Sequence, residues 1–468
     1  MMKKIGFLRY LIIVFLFAAT SRCASVSSVA QAQQIEVSSL AGDDSRGSLI
    51  AAIKSANTQK ADPDNPVTIR FARNLAGEIV LSMDLPEIEN HVSFVGNVDN
   101  SGKPTITING SVNPAINGGL AGGFSPGFRL FFVTSGKTVS FENLILTKSN
   151  KSGITSEGGT VTVKNCMLTY NLGVGQDHGT AGAIQSENGN LTVIGSYFFY
   201  NNGGLGGTEG RVGYGGAGSI NVINGNAVVI NSSFFENEGG FGGIGVGSVA
   251  GPGALMAFNS NVSIVNCTAA NNFGGGSIVT GASGGFMIIR GNMLISQSTI
   301  VDNVGGAGLG GFDGIDFCSG GIHVLAGVLT LGGNIITGNL NGNDEYTDLE
   351  SQRSGEVRSL GHNLYGFANV ELNGTGDTKG IATKDVVATT SEGKFKSEVT
   401  SGILSTVALT ADSPAKNKSV AVTGISPVSS GDPNAKFFAD AWSNYSSLLQ
   451  ADQNGKQRTA NPSIGAVE

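Results

Sequence analysis

The stretch GAIQSENGNLTVIGSYFFYN at residues 182–201 is followed, 36 residues later, by GSINVINGNAVVINSSFFEN at 218–237. More than half of the twenty aligned positions are identical. The same frame returns at 253–272, at 285–303 with one deletion, at 321–339, and upstream at 153–171 and 138–149. Each unit holds two short alternating runs, such as 183–186 and 191–194, and then an apolar pair such as Phe198-Phe199 before a closing Asn. Short strands between Asn-Gly and Gly-rich turns, at a repeat of roughly 34 residues, read as the coils of a parallel β-solenoid. One coil cannot bury its own apolar face, so neighbours must stack about 4.8 Å apart to make a core.

Two alignment columns support stacking. The closing Asn recurs as Asn171, Asn201, Asn237, Asn272, Asn303 and Asn339. Each is expected in a left-handed turn conformation, bonded to its copies above and below, as a structural ladder with no ligand role. The second column holds Cys166, Ser196, Ser232, Cys267, Ser298 and Asn334. Cys166 and Cys267 stand three coils apart, about 14 Å, which is beyond disulfide reach. Cys318 has no obvious partner in the sequence, so no disulfide is expected.

Composition agrees with this reading. The 468 residues include 72 Gly, 13% charged and 40% hydrophobic residues. The glycines lack a three-residue period, which excludes collagen, and the apolar content excludes a disordered chain. Glycine concentrates in inserts at 203–217, 238–252, 273–283 and 304–320, which fall at one corner of successive coils. They are expected to lie together on one side, as functional loops or as spacers.

Residues 1–32 carry Lys3, Lys4 and Arg9, the apolar run 11–19 and a small-residue ending Ala30-Gln31-Ala32, the pattern of a secretory signal peptide. Cys23 fits a lipid-modification site poorly. Removing the leader leaves 24 basic against 35 acidic residues, so the net charge moves from −7 to −11. That acidity opposes nucleic-acid binding, and no later segment is a candidate membrane helix.

The expected organisation is a signal peptide at 1–32, an N-terminal cap and first coils at 33–115, repeats with Gly-rich inserts at 116–345, and a last coil with an irregular C-terminal cap at 346–468. At the first end, 48–57 reads as a short amphipathic helix over the bottom of the core, followed by alternating runs at 67–71, 79–81, 92–94 and 106–108. At the far end, 437–449 reads as a helix carrying the single Trp442.

These residues resemble the bacterial exported right-handed parallel β-helix proteins of the pectin-lyase-like superfamily. The opening 47–57, with 67–71 and 105–110, looks like the start shared by many such surface proteins. The Ala-Gly-Ala-Ile unit at 181–184 and the Phe-x-x-Asn endings at 198–201 and 234–237 are similar to repeats of polymorphic outer-membrane proteins and adhesins. Ser359-Leu-Gly-His-Asn-Leu364, 413–415, 452–458 and 464–468 resemble the closing domain called choice-of-anchor Q. The resemblance implies a right-handed coil and a place in the medium, at the cell surface or at the outer membrane. An anchor often follows that closing domain, and with the sequence ending at Glu468, secretion or retention by a partner is the expectation.

The superfamily also includes polysaccharide lyases and hydrolases. Paired carboxylates about 5–10 Å apart serve glycoside hydrolysis. The catalytic candidates are Asp177 and His178 in one insert and Asp313 and Asp316 in another; each also reads as an ordinary turn or surface residue. Gly361-His362-Asn363 is the nearest match to the Gly-His-Gly of polygalacturonases. No column of acidic residues runs through the repeats, and no metal or cofactor is called for. The first expectation is a non-catalytic exported scaffold for surface structure or adhesion, with a polysaccharide or a host or cell-surface ligand as partner. The alternative is a polysaccharide lyase or glycoside hydrolase.

Overall fold

Ile184, Leu191 and Phe198 are buried, and each stacks in parallel register on its counterpart one coil along, Ile220, Ala227 and Phe234. The structure is a computed structural model that describes residues 33–467 except 112–126, 176, 208–212, 246, 309–315, 389–396, 400–402, 420–434 and 460–461. The expected leader and Asp313 lie outside the described residues.

Each central coil has three strands, for example Ile184–Glu187, Asn190–Ile194 and Tyr197–Phe199. The third is the Phe pair of the sequence repeat. Only Phe198 of its three residues faces inward, an alternation too short for periodicity to reveal. From Leu255–Val265 onward the first two strands fuse into single strands, three of 11 residues and then Leu349–Gly361 of 13. Fusion joins them in one 15-stranded sheet, while the third strands form an 11-stranded sheet. Among the described residues, the strand pairs of these two sheets, from Gln34–Val37 to Thr378–Lys379, are parallel. The protein is thus an all-β parallel β-helix. The Phe198 and Phe234 rings lie 4.8 Å apart and 9° from parallel, matching the spacing of paired strands.

At the N-terminal end, helix Leu49–Asn57 is capped by Ser48, whose Oγ accepts from the Ala51 N–H at 3.1 Å. That bond satisfies one of the helix's open donors. Its buried residues Leu49, Ile50, Ile53 and Ala56 join the core with Val37, Val67 and Ile69.

The Asn side chains bond from coil to coil. Asn171 Nδ2 donates to Asn201 Oδ1 at 3.0 Å, and the same bond links Asn201 to Asn237, Asn237 to Asn272, Asn272 to Asn303 and Asn303 to Asn339. The left-handed residue, however, is the one before each Asn: Tyr170, Tyr200, Glu236, Asn271 and Asp302 have φ from 48° to 55°. That residue breaks the in-out alternation, so two side chains point outward in succession and the Asn turns in. The second column is also a ladder. Cys166, Ser196 and Cys267 each donate a backbone N–H to the next Oγ, and Ser232 donates to Cys267 Sγ at 3.4 Å. Cysteine occupies serine's place as a small acceptor. Cys166, Cys267 and Cys318 are buried and not disulfide-bonded, and burial pushes the first two thiols up to about 12.

The Gly-rich inserts stack too. Gly204 donates to Thr180 O, Gly216 to Gly204 O, Gly240 to Gly216 O, Gly251 to Gly240 O and Gly275 to Gly251 O, all at 2.8–2.9 Å. The outgoing and returning arms of successive inserts therefore interleave. Backbones pass so closely that a Cβ on Gly216 would collide with Thr180 O, and one on Gly251 with Gly216 O. Glycine is needed here for close approach.

Ala368 and Leu372 join the core at the last coil. The C-terminal region then does more than close that end. It returns along the flank, where Val386, Val407, Ala415 and Ile464 pack on the outward residues Phe235, Ala270, Val301 and Ile335. Leu449 packs on Val228, Ile230 and Val265. Helix Ala435–Tyr445 overlaps the expected helical stretch 437–449, starting two residues earlier and ending four residues sooner.

Candidate functional site

Each coil turns three corners, and each corner places one residue at positive φ. At the corner after the first strand these are Asn188, Asn224, Asn259 and Arg290. At the next they are Asn143, Asn165, Gly195, Asn231, Asn266, Gln297, Gly333 and His362. These are mostly Asn and Gly, the residues that tolerate this conformation. The third corner, just before the Asn ladder, runs Lys148, Tyr170, Tyr200, Glu236, Asn271, Asp302 and Gly338. Four successive coils there hold residues for which left-handed backbone costs on the order of 1–3 kcal/mol each. Gly would fit without that cost, so something other than the turn accounts for these side chains.

They form an outer stripe. The Tyr170 and Tyr200 rings stack 5.4 Å apart and 5° from parallel. Phe199 meets Tyr200 edge to face at 4.5 Å, and Tyr197 stacks on Phe199 at 5.6 Å. Tyr200 is 45% exposed. Its phenol donates to the Glu236 carboxylate, which with its negative charge raises the phenol's pKa. Tyr197 sits where the C-terminal region begins to cover the short-stranded sheet. Burial pushes its phenol up to about 12, with an opposing hydrogen bond to Ser405, and its ring lies 6.1 Å from Phe235. Toward the N-terminal end of the sheet's outer face Val80 is half exposed, while Asn109 is buried with its Nδ2 bonded to Glu78 Oε1 at 2.7 Å.

Further along the same corner, Asp302 Oδ1 lies beside Gly338 and the Thr383 side chain. Burial first, and the Asp348 charge second, push Asp302 up to about 7. Asp348 rises to about 6 by burial, opposed by its bonds from Asn339 and Phe367.

The residues named from sequence as catalytic candidates are not gathered here. Asp177 and His178 are exposed on the insert after Asn171, and His178 Nδ1 accepts from the Tyr214 N–H at 3.2 Å. Asp316 lies in a two-residue strand, Asp316–Phe317, antiparallel to Ala307–Gly308, in the insert after Asn303. Four coils separate these inserts, about 19 Å along the axis at the usual strand spacing, beyond the 5–10 Å of a glycosidase carboxylate pair. His362 Nδ1 sits 2.7 Å from Lys418 O. Among the described residues, no group of three or more His, Cys, Asp and Glu could hold a metal ion, and no helix is long and apolar enough to cross a membrane. Sequence reading missed Tyr170, Tyr197, Tyr200 and Glu236. The signal was present one position before the ladder Asn, where Tyr, Tyr and Glu stand in a column that should favour Gly.

No family model matches the chain, and no curated protein matches it in sequence. Among solved structures it is similar to a crystal structure of the pectate lyase Pel9A, with a TM-score of 0.40 and 14% identity, covering 86% of this chain and 95% of that one.

Proposed function

We propose that this protein is an exported, non-catalytic β-helix scaffold that works in cell-surface structure or adhesion, holding an extended partner against its exterior. The observation that carries the reading is the pair Tyr170 and Tyr200, stacked on the outer surface at backbone positions where Gly would cost less. A strained conformation retained at a surface site points to use of the side chain. Residues 1–32 direct export in this reading, and the resemblance to exported surface proteins supports the same placement.

The test is a binding assay of the secreted protein on whole cells and on a panel of immobilised polysaccharides. Saturable retention without product release supports the scaffold. New reducing ends or unsaturated products would replace it with a polysaccharide-cleaving enzyme, and no retention on any surface would remove it.

A further inference from the structure

Lys148, Tyr170, Tyr200 and Glu236 stand one per coil down the outer corner. The strands before them fix their register, since Thr147 pairs with Thr169, Thr169 with Phe199 and Phe199 with Phe235. The backbone ladder runs on through the corner: Lys148 N–H donates to Thr169 O, Tyr170 N–H to Phe199 O and Tyr200 N–H to Phe235 O, at 3.1–3.4 Å. The four side chains therefore fall at steps of about 4.8 Å, a cation first, two rings in the middle and a carboxylate last. All four reach the surface at least in part. Just past the corner, Lys151 is exposed beside the first of these coils and Glu238 beside the last. Lys148 and Glu236 are three coils apart, about 14 Å, too far to pair with each other. Among the described residues, no ion pair within the chain engages Lys148, Lys151, Glu236 or Glu238.

We infer that this stripe is the contact of a twofold dimer, in which a second copy of the chain lies antiparallel along the same corner. The dimer rests on the scaffold reading above and makes a second copy the extended partner held there. A twofold axis crossing the solenoid between Tyr170 and Tyr200 reverses the column. It sets Lys148 opposite Glu236 of the partner subunit, and Tyr170 opposite Tyr200 of the partner subunit. The same rotation brings Lys151 toward Glu238 of the partner subunit. Side-by-side parallel copies in the same register would instead place each charge on its own copy, and like charges across an interface oppose binding. The order of the column thus selects one orientation. A twofold contact uses one patch twice and closes after two copies. Exposed Tyr rings suit its centre, because aromatic side chains are enriched at interfaces. The contact also accounts for the long side chains at positions where Gly would suit the backbone better: the turn needs none of them, and the interface uses each.

The test is sedimentation velocity of the full secreted protein over a concentration series, at low and at high salt. Four variants accompany it: Lys148→Glu, Glu236→Lys, the two together, and Tyr170→Gly/Tyr200→Gly. Positions 148 and 236 already hold long charged side chains at positive φ, so exchanging them leaves the demand on the backbone unchanged, and Gly relieves it. An unchanged circular dichroism spectrum shows that each variant is folded. We expect a wild-type dimer that weakens with salt. Either single reversal should raise the dissociation constant at least tenfold, and the two together should return it to within about threefold of wild type, because the pairs across the axis are restored with signs exchanged. The double Gly variant should sediment as a monomer. A wild type that stays monomeric throughout the series would overturn the dimer, as would single reversals without effect or a double reversal without recovery. Cell binding by a monomeric wild type would refute this contact and leave the scaffold reading standing. A dimer with the expected variant pattern that binds no cell or polymer would support the contact and remove the adhesion reading.

Discussion

Asn339 passes its ladder to Asp348: its Nδ2 donates to Asp348 Oδ1 at 2.7 Å and its backbone N–H to the same oxygen at 2.9 Å. The neighbouring ladder ends in the same way. Asn363 donates its Nδ2–H and its N–H to Asp377 Oδ1, both at 2.9 Å. Every inner rung must accept from one neighbour and donate to the other, which an amide side chain does. The final rung has only donors facing it, and an ionised carboxylate is acceptor-only.

Asp348 also accepts from the Phe367 N–H through Oδ2 at 2.8 Å, so donors face both of its oxygens. Asp348→Asn would turn an NH₂ toward one of them. We expect a loss of about 1–3 kcal/mol, read from the urea midpoint. An unchanged midpoint would show that the terminal carboxylate is dispensable.

Asp302 and Asp348 have folded-state pKa values raised to about 7 and about 6, above the unfolded carboxylate range near 4. A raised carboxyl contributes stability that is fully present below the unfolded value and is lost as pH climbs through the folded one. The melting temperature should therefore fall between about pH 4 and 7 through these two groups. In Asp302→Asn that fall should be visibly shallower, and a parallel pH profile for wild type and variant would refute the assignment.

In the glycine layer, Gly216→Ala or Gly251→Ala forces a methyl into backbone oxygens that are themselves bonded. Rigid neighbours make the cost at least 1–3 kcal/mol. Gly175→Ala, whose nearest atom to the new methyl would be Leu205 O at 3.1 Å, should cost clearly less. Thermal unfolding of the three variants side by side reads the contrast.

Gln453 ties the C-terminal region to the flank, donating Nε2–H to Ser232 O at 2.9 Å and to Ser233 Oγ at 2.7 Å. Gln453→Ala leaves those buried acceptors with fewer donors. Hydrogen exchange should quicken in 381–467 by about tenfold or more, a loosening of about 1.4 kcal/mol, while the central coils stay protected. Uniform quickening across the chain would mean that the flank and the coils open as one unit.

The repeat, the inward ladder and the column shared by Cys166 and Cys267 were legible because they are properties of a short frame seen six times. A column such as Cys166, Ser196, Ser232 and Cys267 states its own geometry once coils are known to stack. Three features were less legible. The third strand is only three residues long in coils such as Tyr197–Phe199. The outward Val228 and Ile230 read like any apolar strand residues, and nothing nearby in sequence says what covers them. The carboxylates proposed for catalysis share a corner of the repeat, but stacking places the inserts of Asp177 and Asp316 four coils apart.

By itself the sequence determined the coil: its length, its inward residues, its turns and the order of stacking, since each of these is set by contacts between one repeat and the next. Only the tertiary structure decided which outer surfaces are covered and which remain open. That choice depends on bonds such as Gln453 to Ser232, which spans 221 residues, and on C-terminal segments without any period. A local pattern can specify a contact that recurs at every repeat. A contact made once, between distant and dissimilar segments, is settled by shape and burial after the solenoid exists, and here that left the Tyr170–Tyr200 stripe facing solvent.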